Sequence, residues 1–166
     1  MSERFARLAL TAGGLGLLRP APGTWGSLPP AIAAAAMAAF GAPHWSIDGV
    51  LMCVALGASL ACLRYGDIGE RLFGKKDPGA VVADEVAGQA ITLRLLPWPT
   101  DLRGIALVAL VGFLAFRAAD ILKPWPASGL QRIPGGAGIL IDDLIAGVYA
   151  LIVTQLAVRY GLPAVG

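Results

Sequence analysis

Asp142 and Asp143 stand side by side inside the longest apolar segment of the chain, residues 138–158. A carboxylate inside a hydrophobic run of membrane length is expensive, so its default reading is a functional site. The feature recurs. Asp84 and Glu85 open a second apolar segment at residues 86–98, and Asp120 lies just past a third at residues 104–116. A glycine follows each acidic pair, Gly88 four residues after Asp84 and Gly147 four after Asp143. Small residues at those positions would let two acid-bearing helices approach closely.

Residues 28–42 and 49–63 bring the number of apolar segments to five. A hydrophobic share of 57% with 14% charged residues lies outside the range of ordinary soluble domains. The charge-free cores run to about 13 to 15 residues, short of the roughly 20 that cross hydrocarbon unaided. Their flanks extend them to spanning length if Arg and Lys reach back to the interface. No strand-like alternation competes with this pattern. The expected fold is therefore all-α: a compact bundle of about five short transmembrane helices with cytoplasmic-side loops, forming one membrane-embedded domain over residues 1–166. No small-residue cleavage site follows the N-terminal apolar stretch, so it is expected to remain in the mature chain.

Loop charge sets the orientation. With the N-terminus in the cytoplasm and five crossings, residues 1–27, 64–83 and 117–137 face inward. They carry Arg4, Arg7, Arg19, Arg64, Arg71, Lys75, Lys76, Arg117, Lys123 and Arg132, ten of the 13 basic residues. Arg94, Arg103 and Arg159 remain for the other side, a firm positive-inside bias. The same threading puts Asp84, Glu85, Asp120, Asp142 and Asp143 at the cytoplasmic ends of their helices.

Acids gathered without matching bases call for a cation, and oxygen ligands select a hard one such as Mg²⁺. Adjacent acids on a helix diverge by about 100°, so one of each pair is free for another duty. Arg117, Asp120 and Lys123 recur at helical spacing before Pro124 and Pro126 stop the helix. They read either as a phosphate grip or as interfacial anchors neutralised by Asp120. Two glycine-rich stretches, residues 22–27 with Gly23, Thr24 and Ser27, and residues 134–138, precede apolar helices and offer backbone N–H groups to an anion. Asp77, Lys75 and Lys76 read from spacing as solvated, and Cys53 and Cys62 as small buried apolar residues.

Several classes are excluded. A net charge of +2 does not suit nucleic acid. His44 is the single histidine and falls on the outer side, so a phosphohistidine intermediate is not expected. There is no Cys-x5-Arg cradle, no Asp-x-Asp nucleophile pair and no Walker loop. Attack by an activated water remains. A transporter would spread its acids through bilayer depth, whereas these collect at one face. A purely lipid-binding structural protein would not need the full acidic set.

Four blocks carry a resemblance: residues 16–28 (GLLRPAPGTWGSL), 77–88 (DPGAVVADEVAG), 116–126 (FRAADILKPWP) and 135–147 (GGAGILIDDLIAG). Together they resemble the phosphatidylglycerophosphatase A family, in the family's order and over nearly the whole chain. The resemblance implies a Mg²⁺-dependent lipid phosphatase of the bacterial inner membrane. Such an enzyme converts phosphatidylglycerophosphate to phosphatidylglycerol and phosphate, the last step of phosphatidylglycerol biosynthesis. Its substrate is an anionic phospholipid, its partner is the bilayer and its active site faces the cytoplasm. The resemblance raises Asp77 and Gly23 to prospective site members. Asp84, Glu85, Asp142 and Asp143 become expected metal ligands, with Asp120 in the catalytic set. Arg117, Lys123, Thr24 and Ser27 become the expected phosphate-binding groups. Gln131 stands where relatives commonly carry an acid, and Ile133-Pro134 where some have histidines, so neither group is expected to act here.

Overall fold

A computed structural model describes residues 3–125, 133 and 135–161, and within them the chain is helical with no strand. Its α-helices are α1 (Glu3–Leu10), α2 (Pro22–Ala39), α3 (His44–Phe73), α4 (Ala83–Thr92), α5 (Leu102–Leu122) and α6 (Gly136–Leu156). A 3-10 segment, Ala12–Leu17, links α1 to α2, and a π turn, Ala157–Gly161, prolongs α6. Pro126, Gln131, Arg132 and Pro134 lie outside the described residues.

Helices α2 to α6 fall on the five apolar segments, but their ends differ from the sequence reading. α2 begins at Pro22 rather than after Ser27, because proline at the first helical position has its φ already set and no N–H to leave unpaired. α3 runs ten residues past Leu63, through a stretch read as loop, and stops at Gly74 in a left-handed conformation. α4 ends at Thr92 instead of continuing to Trp98. Leu95 there adopts a left-handed conformation, and the turn is held from two sides. The Leu95 N–H donates to Asp48 Oδ1 at 2.7 Å, and its carbonyl accepts from Gln155 Nε2 at 2.7 Å.

Among the described residues three helical stretches are long and apolar enough to cross a membrane: His44–Phe73, Leu102–Leu122 and Gly136–Gly161. A count of about five crossings is not met on that criterion. α4 has ten residues, about 15 Å of rise, half the hydrocarbon thickness. α2 carries Pro29 and Pro30 inside it. In the apolar windows of α3 and α5 only 22% of residues are buried within the protein. Leu56, Leu60, Leu63, Leu110 and Leu114 face outward, which suits lipid and not water. Cys53 shares that outward face; Cys62, by contrast, is buried as expected.

α4 is the hub. Seven of its ten residues are buried, and it packs against α6, α3, α2 and α5. Its crossing with α6 is a backbone contact. A Cβ at Gly88 would meet the Asp143 carbonyl oxygen and the Phe116 ring, each at 2.5 Å, and one at Gly147 would lie 2.6 Å from the Gly88 carbonyl. Thr92 Oγ1 ties the crossing by donating to the carbonyls of Gly88 and Gly147 at 3.0 and 3.3 Å. The glycines after the two acidic pairs do bring their helices together. Replacing Gly88 with valine should therefore destabilise the protein by about 1–3 kcal/mol or more. A lowered unfolding midpoint in detergent would register it, and an unchanged midpoint would contradict the close crossing.

Candidate active site

Beneath that crossing three of the expected acids meet. One carboxylate oxygen from each of Asp84, Glu85 and Asp143 lies within 4.8 Å of the other two. The first turn of α4 supplies Asp84 and Glu85, and α6 supplies Asp143 from its second turn. Asp84 and Asp143 are only 5% and 3% exposed. Asp84 Oδ1, Glu85 Oε2 and Asp143 Oδ2 are buried without a hydrogen-bond partner. Buried, mutually repelling carboxylates are costly to keep charged, and a bound cation would offset that cost. An all-oxygen donor set of this kind fits a hard divalent cation such as Mg²⁺, which keeps several positions for water or substrate oxygens.

Two basic side chains flank the triad, each held by a carboxylate. Arg117 Nη1 lies 2.8 Å from Asp120 Oδ2, one helical turn further along α5. Lys123 Nζ reaches across from the end of α5 to Asp142 Oδ2 at 2.6 Å. Asp142 is thus directed to Lys123, while its neighbour Asp143 joins the triad. Asp120 also borders Asp143. Lys123 has its pKa raised: burial works against the charge, but the hydrogen bond and the charge of Asp142 outweigh it. It remains an ammonium at any physiological pH. Asp77, exposed in the turn before α4, lies in the field of the same groups. Partial loss of hydration raises its carboxyl pKa, Lys123 opposes the shift and Asp142 adds to it.

The start of α2 closes the site from the third side. Gly23 is buried, and a Cβ there would overlap Glu85 Oε1 and fall 2.9 Å from Arg117 Nη1. Ser27, fully buried, donates its hydroxyl to the Gly23 carbonyl at 2.7 Å and accepts a long 3.4 Å hydrogen bond from Arg117 Nη1. Ser27 therefore braces Arg117. Thr24, on the same turn, is half-buried. The geometry gathers Asp84, Glu85, Asp143, Arg117, Asp120, Gly23 and Ser27 around one point, with Lys123, Asp142 and Asp77 beside it.

Two residues escaped the sequence reading. Asp67 lies against Gly135 at the start of α6, where a Cβ would meet its carboxylate. It was hidden because α3 was expected to end before it. Gln89, one turn beyond Glu85, is fully buried with neither amide atom paired. Its polarity within residues 86–98 was the available signal.

Fold and site define a class: an all-helical protein with membrane-length apolar helices and one polar end, where a carboxylate triad adjoins a held guanidinium and a held ammonium. Sequence comparison narrows the class. The family described as Phosphatidylglycerophosphatase A matches residues 8–158, and the chain belongs to that enzyme family. It is 35% identical over 151 residues to a Haemophilus influenzae protein named Phosphatidylglycerophosphatase A, covering 89% of this chain and 84% of that one. An Escherichia coli protein of the same name is 36% identical over 142 residues, covering 81% and 73%. No solved structure gives a significant match. A methyl group at Gly23 has to displace Glu85 or Arg117, so Gly23→Ala should cut phosphatase turnover by about 100-fold. The unfolding midpoint should hardly move. Undiminished turnover would show that α2 does not close on the site.

Proposed function

We propose that this chain is a Mg²⁺-dependent lipid phosphatase that hydrolyses phosphatidylglycerophosphate to phosphatidylglycerol and inorganic phosphate. It would complete phosphatidylglycerol biosynthesis in a bacterial inner membrane. The observation that carries the reading is the carboxylate triad of Asp84, Glu85 and Asp143 set against Arg117 and Lys123. Acids alone would serve any cation and basic groups alone any anionic lipid; both together suit a phosphate monoester with its counter-ion. The relatives' shared name supplies the head group.

In this reading Asp84, Glu85 and Asp143 hold Mg²⁺, which when bound offsets the charge of the phosphate and makes phosphorus more electrophilic. Arg117 and Lys123 take peripheral phosphate oxygens, with Thr24 and the N–H groups at the start of α2 closing over them. Asp120, fixed by Arg117 and bordering Asp143, accepts the proton of the attacking water. The water oxygen bonds to phosphorus, the P–O bond to glycerol breaks, and the leaving oxygen is protonated from solvent. Inorganic phosphate and the lipid alcohol remain. The exposed apolar faces of α3 and α5 keep the lipid's chains in the bilayer while its head group reaches the polar end. The bias of basic residues along the sequence, ten of 13 within residues 1–27, 64–83 and 117–137, supports a cytoplasmic orientation of that end.

Purified protein should release phosphate from phosphatidylglycerophosphate far faster than from phosphatidate, and chelation should stop it. Asp84→Asn and Asp143→Asn should each lower turnover by at least about 100-fold while the protein still inserts. Equal turnover on both lipids would refute the substrate assignment, and full activity after chelation would refute the ion.

A further inference from the structure

Neighbouring acids on α6 have different surroundings. Asp143 faces α4 and completes the triad, and Asp142 is not among the carboxylates that lie mutually within 4.8 Å. About 100° around the helix, Asp142 meets Lys123 instead. The Asp142 side chain is 4% exposed and that of Lys123 30%, so the carboxylate is the fixed partner and the ammonium the one that reaches water.

Lys123 also has an unusual backbone. It caps α5 at φ 44° and ψ 63°, a left-handed conformation that is strained for a non-glycine residue, and Pro124 follows it. That geometry turns the side chain away from the course of α5 and toward α6. A lysine stem is long and flexible, with little geometry of its own. Left unheld beside three clustered carboxylates, its ammonium would be drawn among them and would compete with a divalent ion. A buried carboxylate at 2.6 Å prevents this and keeps the charge at the water-facing edge of the site. Arg117 is likewise held by a carboxylate, Asp120 at 2.8 Å.

We propose that Asp142 is a positioning residue for phosphate capture, not a ligand of the ion: it fixes the Lys123 ammonium at the edge of the triad, where a phosphate oxygen arrives. The proposal rests on the phosphatase reading of the site and deepens it by dividing the acids into ion-holding and cation-holding sets. One consequence separates the two roles. Loss of Asp142 should harm phosphate binding only through Lys123, and should leave ion binding almost intact.

The test uses the full chain purified in detergent, with Mn²⁺ binding followed by electron paramagnetic resonance and inorganic phosphate binding by calorimetry. Asp142→Asn should change Mn²⁺ affinity by less than about twofold, whereas Asp84→Asn should weaken it by more than about tenfold. Asp142→Asn and Lys123→Gln should each weaken phosphate binding by about tenfold, and the double variant no further than Lys123→Gln alone. Asp142→Glu, which keeps the charge, should recover most of the phosphate affinity, an outcome that general damage to the fold would not give. The proposal is overturned if Asp142→Asn loses Mn²⁺ as Asp84→Asn does. It is equally overturned if losses in the double variant add in full, or if the unaltered protein binds no phosphate. These readouts need no turnover. The expected binding pattern in a protein that hydrolyses no phospholipid would support the division of the acids while sinking the phosphatase reading, and additive losses in an active enzyme would do the reverse.

Discussion

Burying carboxylates in an apolar helical bundle is the constraint to which the rest of the molecule answers. Asp84, Asp120, Asp142 and Asp143 are all buried, and each would cost several kcal/mol to hold charged and unpaired in such surroundings. The protein meets this cost in two ways. Asp120 and Asp142 are matched with Arg117 and Lys123. Asp84, Glu85 and Asp143 are left with buried oxygens that accept no hydrogen bond. A bound cation would offset that cost, and in the proposed reading the same unmet demand makes the end of the bundle a place to bring a phosphate with its counter-ion.

The backbone provides the geometry for that demand. α4 is too short to cross a bilayer and is wrapped by longer helices. At its far end Asp48 and Gln155 fix the turn at Leu95. Near the site Gly88 and Gly147 remove the side chains that would keep α4 and α6 apart. α2 then closes over Glu85 and Arg117 at Gly23, with Ser27 bracing the guanidinium. At Gly23, Gly88 and Gly147 a backbone without a side chain meets a charge, a ring or another backbone, so small residues at a few positions control where the acids stand.

Much of this was legible in the sequence. The five apolar segments, the stop at Pro124, the shared end of the acids and the glycine crossing all follow from local pattern, since hydrophobic runs and chain breakers act over a few residues. Helix ends were less legible. α3 continues through polar residues to Gly74, and α4 stops at Thr92 because a turn is held by residues 47 and 60 positions away. The division between Asp142 and Asp143 was also hidden. Sequence shows two equivalent acids; only the packing of α6 between α4 and α5 decides which one meets Glu85 and which meets Lys123.

The most direct measurement is the anomalous diffraction of Mn²⁺ in crystals of the protein grown in a lipid phase. A single strong peak within ~2.5 Å of oxygens from Asp84, Glu85 and Asp143, with Lys123 still resting on Asp142, is the result this account requires. A metal bound elsewhere, or three carboxylates turned away from one another with no ion between them, would contradict it.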